Sequence, residues 1–94
     1  MITVNDLKAK YQLYKVSKLV SDRIFDKWES DIDDEELEQF SDNAYRGMWD
    51  ALDDFATSLE EFTSGQVDFA TARKMAINPK FSGRLDDLMS RLTA

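Results

Sequence analysis

Neither histidine nor cysteine occurs among the 94 residues of this chain. Without histidine, the protein lacks the commonest general base, the commonest transition-metal ligand and the side chain that titrates near neutral pH. Without cysteine, it can form no disulfide, no thiolate nucleophile and no cysteine-based zinc site. We therefore predict that the protein is not an enzyme and that it has no catalytic residue, no cofactor and no metal site.

Glycine and proline are also scarce, with 3 glycines and 1 proline. A β-rich fold needs many turns, and turns favour these two residues, so their scarcity favours helix. Hydrophobic residues make up 43% of the chain, which is too many for a disordered protein. The length fits one domain, and we expect residues 1–94 to form a single helical domain.

Long apolar runs are missing as well. The chain has no segment of signal-peptide character and no run of about 18 apolar residues, the length a membrane span requires. It also lacks a glycine-rich phosphate loop and a nucleophile elbow. The sequence therefore predicts a soluble, cytoplasmic protein with no membrane partner.

Helix start and stop signals predict four helices, at about residues 4–29, 34–63, 67–77 and 79–92. Ser64-Gly65 supplies the glycine expected beyond the end of the second helix, and Asn78-Pro79 supplies the cap and first-turn proline of the last one. The first two helices are long enough to form a helical hairpin, and the two short helices would pack beside it. We therefore predict an all-α fold, an antiparallel three- or four-helix bundle built on that long hairpin.

The second helix has the clearest amphipathic pattern. One face carries apolar residues at steps of three and four, namely Leu37, Phe40, Ala44, Met48, Ala51, Phe55, Leu59 and Phe62. Ser41-Asp42-Asn43 and Gly47 are poor helix formers within that span. Because the apolar spacing passes through them unshifted, we predict that this helix is continuous.

The first helix carries two apolar stripes instead of one. The first stripe is Leu13, Val16, Val20 and Ile24, and the second is Leu7, Tyr11, Tyr14 and Phe25. Two stripes indicate contact with more than one neighbouring helix, or with a second copy of the chain.

Charge is distributed unevenly along the chain. Residues 1–28 carry six basic and three acidic side chains (net +3), residues 29–63 one and thirteen (net −12), and residues 64–94 five and three (net +2). The simplest explanation is that basic helices lie beside the acidic second helix. We expect Lys8, Lys15 and Lys18 to face that helix rather than the phosphates of a nucleic acid.

The segment 30–40 (SDIDDEELEQF) contains six acidic residues. Asp31, Asp33 and Glu35 alternate as in a calcium-binding loop, but Glu36 stands where that loop requires glycine. Asp33 followed by Glu36 also matches a capping box, and acidic residues favour the positive end of a helix. We therefore interpret the segment as a helix start, while a looser contact with Mg²⁺ or Ca²⁺ stays open.

The side of the second helix opposite its apolar stripe carries a row of carboxylates. Trp49 lies among these carboxylates, and Tyr45 lies at their border. Large aromatic side chains are usually buried or used at interfaces. Two interpretations stay open. Either the rings of Tyr45 and Trp49 pack against a neighbouring helix, or Trp49 anchors a partner-binding surface formed by Glu38, Asp42, Tyr45, Trp49 and Asp53.

Such a surface would suit a protein partner with a basic surface, because opposite charges accelerate association. A nucleic-acid-binding protein is one such partner. In charge and size, although in no motif, the chain resembles the small acidic DNA-mimic inhibitors made by phages and mobile elements. The net charge of −7 argues against direct nucleic-acid binding. We thus predict a small acidic protein-binding module, and the alternative is a structural homo-oligomer such as a homodimer.

Overall fold

A computed structural model describes residues 2–31 and 33–92. It contains four helices, α1 (Val4–Ser30), α2 (Glu35–Phe62), α3 (Phe69–Ile77) and α4 (Pro79–Arg91), and no strand in the described part of the chain. The predicted all-α fold, a long hairpin followed by two short helices, is confirmed. Each predicted helix boundary lies within two residues of the observed one.

Local polar side chains start the helices. Thr3 accepts a hydrogen bond from the backbone N–H of Asp6, and Asp6 accepts one from the backbone N–H of Thr3. Asp68 caps α3 by accepting from the N–H of Thr71 at 2.7 Å. Asn78 caps α4, in which proline occupies the first turn as predicted.

The cap of α2 differs from the predicted one by a residue. Asp34, and not Asp33, accepts a hydrogen bond from the backbone N–H of Leu37 at 3.0 Å. The prediction of an Asp33–Glu36 capping box was therefore wrong. Two adjacent aspartates offer the same capping chemistry, and only the backbone, which is extended at Asp34 and helical from Glu35, selects between them.

The end of α2 follows the prediction. Ser64 and Gly65 both adopt positive φ values, 54° and 85°, the conformation that glycine adopts without strain. The backbone N–H of Gly65 donates to the carbonyl of Glu60 at 2.9 Å, which satisfies one of the last carbonyl groups of the helix. The helix is also continuous through Ser41–Gly47, as predicted.

The hydrophobic core occupies only half of the hairpin. Its buried members on α1 all lie between Leu7 and Tyr14, and those on α2 lie between Leu52 and Leu59. Helices α3 and α4 complete the core from one side with Ala72, Ala76, Leu85 and Met89. Because α3 and α4 have only 9 and 13 residues, they do not cover the half of the hairpin nearest the α1–α2 turn.

Ion pairs at the edges of the core join basic and acidic segments. The ammonium of Lys10 lies 2.8 Å from Asp54 on α2, and that of Lys15 lies 2.9 Å from Asp86 on α4. The expectation that Lys15 faces the acidic second helix was therefore wrong, since α4 packs over α1 at this level. These pairs are partly exposed, and each contributes at most about 1 kcal/mol to stability.

The two buried tyrosines of α1 should make the protein sensitive to alkaline pH. Burial, together with a hydrogen bond to Asp86, raises the pKa of the Tyr11 hydroxyl, and burial raises the pKa of Tyr14. The unfolded chain releases these protons near pH 10, whereas the folded chain retains them. Their contribution to stability is therefore complete below about pH 10 and is lost as the pH rises further.

We expect the free energy of unfolding, measured by urea denaturation, to fall steeply above about pH 10. Lysines also lose their charge in this range, so a Tyr11→Phe/Tyr14→Phe variant is the control. The variant should show a shallower decline relative to its own stability at neutral pH. An equally steep decline in both proteins would assign the effect to the lysines.

Candidate functional site

The uncovered half of the hairpin contains a cleft of about 510 Å³ on the side where α3 and α4 pack. Both long helices contribute to it. The lining residues are Ser21, Asp22, Phe25 and Trp28 of α1 and Glu38, Ser41, Asp42 and Tyr45 of α2.

Small side chains bring the two helices together at this level. Ser21 on α1 and Ser41 on α2 are both buried, although neither α3 nor α4 reaches this part of the hairpin. The fully buried side chains at this level are therefore serines, and the rings of Phe25 and Tyr45 lie beside the contact. As a result Phe25 is 45% exposed and Tyr45 is 53% exposed.

The rings of Phe25, Trp28 and Tyr45 form the apolar part of the cleft. The ring centroids of Phe25 and Trp28 are 5.6 Å apart, and Tyr45 contacts Trp49, outside the cleft, with centroids 5.9 Å apart and planes nearly perpendicular. The indole N–H of Trp28 is buried and has no hydrogen-bond acceptor in the described part of the chain. A buried donor without an acceptor lowers stability.

Carboxylates form the polar rim. Asp22, Glu38 and Asp42 are all exposed, and none of the eight lining residues is basic. Each exposed carboxylate alone would contribute little to an ion pair. Together they give an apolar cleft a negative rim, which attracts cationic groups and repels anionic ones.

The five residues predicted to bind a partner fall into two groups. Glu38, Asp42 and Tyr45 line the cleft, whereas Trp49 and Asp53 lie farther along α2 and contact α3. The interpretation that these rings pack against a neighbouring helix therefore describes Trp49, which is half-buried, and does not describe the exposed Tyr45.

Arg73 of α3 contacts both residues of the second group, Trp49 and Asp53. The guanidinium carbon of Arg73 lies 4.9 Å from the centroid of the Trp49 ring, which is a cation–π distance. Its Nε atom lies 3.2 Å from Oδ1 of Asp53, a salt bridge whose angle is too poor for a hydrogen bond. An aromatic ring and a carboxylate one helical turn apart thus already bind a guanidinium in this protein.

Sequence reasoning missed the half of the cleft that α1 supplies, namely Asp22, Phe25 and Trp28. The stripe pattern placed Phe25 with Leu7 and Tyr11 on one buried face. That face is buried only as far as α3 and α4 extend, and Phe25 lies beyond them. The lengths of the helices could have indicated this. Two short helices that form a hairpin of their own cannot cover helices of 27 and 28 residues.

The described residues contain neither a cluster of metal-ligating side chains nor a helix suited to cross a membrane. No three acidic side chains in residues 2–31 and 33–92 are grouped so that they could hold a metal ion. Among the helices of that same part, none is both long and apolar enough to cross a membrane.

No protein-family model, no curated protein and no solved structure matches this chain. A function therefore has to be inferred from the cleft itself and from the charge around it.

Proposed function

We propose that this protein is a small, non-enzymatic binding module that docks the basic surface of a partner protein in the cleft near the α1–α2 turn. One observation carries the proposal. Three exposed carboxylates, Asp22, Glu38 and Asp42, surround the exposed rings of Phe25 and Tyr45, and no basic residue lines the cleft. An apolar centre with a charged rim is the usual arrangement of a protein interface.

The internal contact of Arg73 indicates the chemistry of recognition. Trp49 and Asp53 bind that guanidinium through a ring face and a carboxylate. Tyr45 lies one turn before Trp49, and Asp42 lies three residues before Tyr45, so an aromatic ring and a carboxylate are again close together, in the opposite order along α2, and both are exposed. An arginine of the partner, placed over Tyr45 beside Asp42, would make the same two kinds of contact that Arg73 makes.

The position of the cleft favours a helical partner segment. The cleft lies on the side of the hairpin where α3 and α4 pack, beyond the point at which they stop. A helix placed there would extend the second layer of the bundle. Its apolar side would cover Phe25 and Tyr45, and arginine or lysine side chains at its edges would meet the rim.

The overall charge supports the same partner class. The chain carries a net charge of −7, and residues 29–63, which include one wall of the cleft, carry net −12. A field of this sign accelerates encounter with a basic protein and weakens as salt rises. Nucleic-acid-binding proteins have such basic surfaces, and competition by duplex DNA for the same partner would identify this protein as a mimic.

Capture from a lysate of the source organism, followed by mass spectrometry, tests the proposal with two matched variants. Glu38→Lys/Asp42→Lys reverses two charges at the cleft, and Asp50→Lys/Glu61→Lys makes the same change elsewhere on α2. We expect a basic protein to be retained by the wild type and by the second variant and lost by the first. Equal loss in both variants would mean that only bulk charge matters, and equal retention would exclude the cleft.

The captured partner then allows a quantitative test by calorimetry. Tyr45→Ala should weaken binding by about 2 kcal/mol or more, because a central aromatic residue usually dominates an interface. Raising the salt concentration should weaken the wild type further. An unchanged affinity in Tyr45→Ala would contradict the assignment of this ring.

A further inference from the structure

The side of the hairpin opposite α3 and α4 is a second exposed apolar surface. Val16 lies nine residues after Leu7, or two and a half helical turns, so the two side chains point to opposite sides of α1. Leu13, Val16 and Val20 of α1 and Phe40 of α2 are all exposed on the surface. Between the helices runs a shallow groove lined by Val16, Ser17, Val20, Ala44 and Gly47.

Large and small residues are divided between the two helices of this surface. At the level of the groove, α1 contributes the branched side chains of Val16 and Val20, whereas α2 contributes Ala44 and Gly47. A Cβ atom placed on Gly47 would meet no atom within 4 Å, so the space above it is empty. The surface thus consists of a ridge on α1 beside a trough on α2.

Charge is divided in the same way. Residues 1–28, which include nearly all of α1, carry net +3, whereas residues 29–63, which include all of α2, carry net −12. On the side of the groove itself, helical spacing places Arg23 and Lys27 with Val16 and Val20 of α1. The same spacing places the carboxylates Glu36 and Asp50 on the Gly47 side of α2, so one helix of the surface is basic and bulky and the other is acidic and small. When a second copy is rotated so that its two helices exchange places, the basic helix of each copy faces the acidic helix of the other.

We propose that a second copy of the chain covers this surface, related by a twofold axis parallel to the helices. This axis places α1 of each copy on α2 of the other, so that basic helices meet acidic ones. It also preserves the level along the hairpin, so Val16 and Val20 of one copy enter the trough at Ala44 and Gly47 of the other. The four long helices then form an antiparallel bundle.

A twofold axis perpendicular to the helices is disfavoured by both charge and shape. It would place α1 on α1 and α2 on α2. The two acidic helices would repel each other, and the ridge would meet the ridge while the trough met the trough. The proposed dimer leaves the partner-binding cleft of each copy free on the outside, so it is independent of the proposed function.

Sedimentation equilibrium over a hundredfold range of protein concentration tests the dimer. We expect a monomer–dimer equilibrium for the wild type. Val20→Glu should raise the dissociation constant by about tenfold or more, because it places a carboxylate against the acidic helix of the second copy. Leu19→Glu is the matched control, since Leu19 is 52% exposed, compared with 45% for Val20, but does not line the groove.

Gly47→Leu provides an independent variant that fills the trough. Because the space above Gly47 is empty, the monomer should fold with undiminished helicity by circular dichroism, while dimerisation is lost. A wild type that stays monomeric at the highest concentration would overturn the proposal. Equal dissociation constants for Val20→Glu and Leu19→Glu would also overturn it.

Cysteine cross-linking distinguishes the two axes, because the natural chain contains no cysteine. A mixture of Val16→Cys chains with Gly47→Cys chains should yield cross-linked pairs of one chain of each kind. Val16→Cys chains alone should cross-link poorly. If Val16→Cys chains instead cross-link efficiently with each other, the axis is perpendicular to the helices and the proposed arrangement is wrong.

Discussion

Phe55→Ala should lower the free energy of unfolding by about 3–5 kcal/mol. Phe55 is fully buried, and its ring centroid lies 4.9 Å from that of Tyr11, so it joins α2 to α1 within the covered half of the hairpin. Truncation removes this contact and leaves a cavity that neighbouring helices cannot fill. Since a domain of this size has about 5–15 kcal/mol of stability in total, much of it would be lost.

Urea denaturation followed by circular dichroism measures this effect, and Phe40→Ala is the matched control. Phe40 lies on the same helix and loses the same atoms, but its side chain is exposed. We expect its cost to stay within about 0.5 kcal/mol at protein concentrations low enough to keep the chain monomeric. Similar costs for the two variants would show that the core does not lie where the structure places it.

The second large effect compares two leucines of α1. Leu7→Ala should cost about 2–5 kcal/mol, because Leu7 is fully buried against the core. Leu13→Ala makes the same change at a residue that is 57% exposed, and in the monomer it should cost no more than about 0.5 kcal/mol. Thermal and urea unfolding of dilute protein would measure both differences.

This pair also decides between the two apolar stripes of α1. The structure buries Leu7, Tyr11 and Tyr14 and leaves Leu13 exposed on the other side. If Leu13→Ala were the more costly change in the monomer, the helix would be rotated relative to the structure. A cost for Leu13→Ala that appears only at high protein concentration would instead support the dimer.

The helices could be predicted because their signals are local. Asn78-Pro79 both ends α3 and starts α4, and Ser64-Gly65 supplies the backbone conformation that terminates α2. Each signal lies within a few residues of the boundary it sets, and none depends on a distant part of the chain. The choice between Asp33 and Asp34 as the cap failed only because both residues offer the same side chain.

The burial of each stripe could not be predicted, because it depends on contacts distant in sequence. Both stripes of α1 have helical spacing, and only the placement of α3 and α4 determines that one of them enters the core. The candidate site shows the same limit. Helical periodicity brought Glu38, Asp42 and Tyr45 together, but Phe25 and Trp28 join them only through the packing of α1 on α2.

The contact of Arg73 with Trp49 is a further example. The sequence shows that Trp49 is an aromatic residue on an acidic face, which fits either a binding surface or a packed helix. Only the position of α3 shows that an arginine of the same chain already occupies this ring. Tyr45 and Asp42, which precede Trp49 on α2, remain exposed.

The half-covered hairpin also implies that stability is unequal along the molecule. Near the α1–α2 turn the buried side chains of the described residues are Ser21 and Ser41, and neither α3 nor α4 covers them, so local opening there requires less free energy than unfolding of the core. A segment that binds across α1 and α2 would suppress this opening. By linkage, a segment that binds only the closed form raises the free energy of local opening, by an amount set by its concentration and affinity. Binding of the segment can therefore be measured as a gain in local stability near the turn.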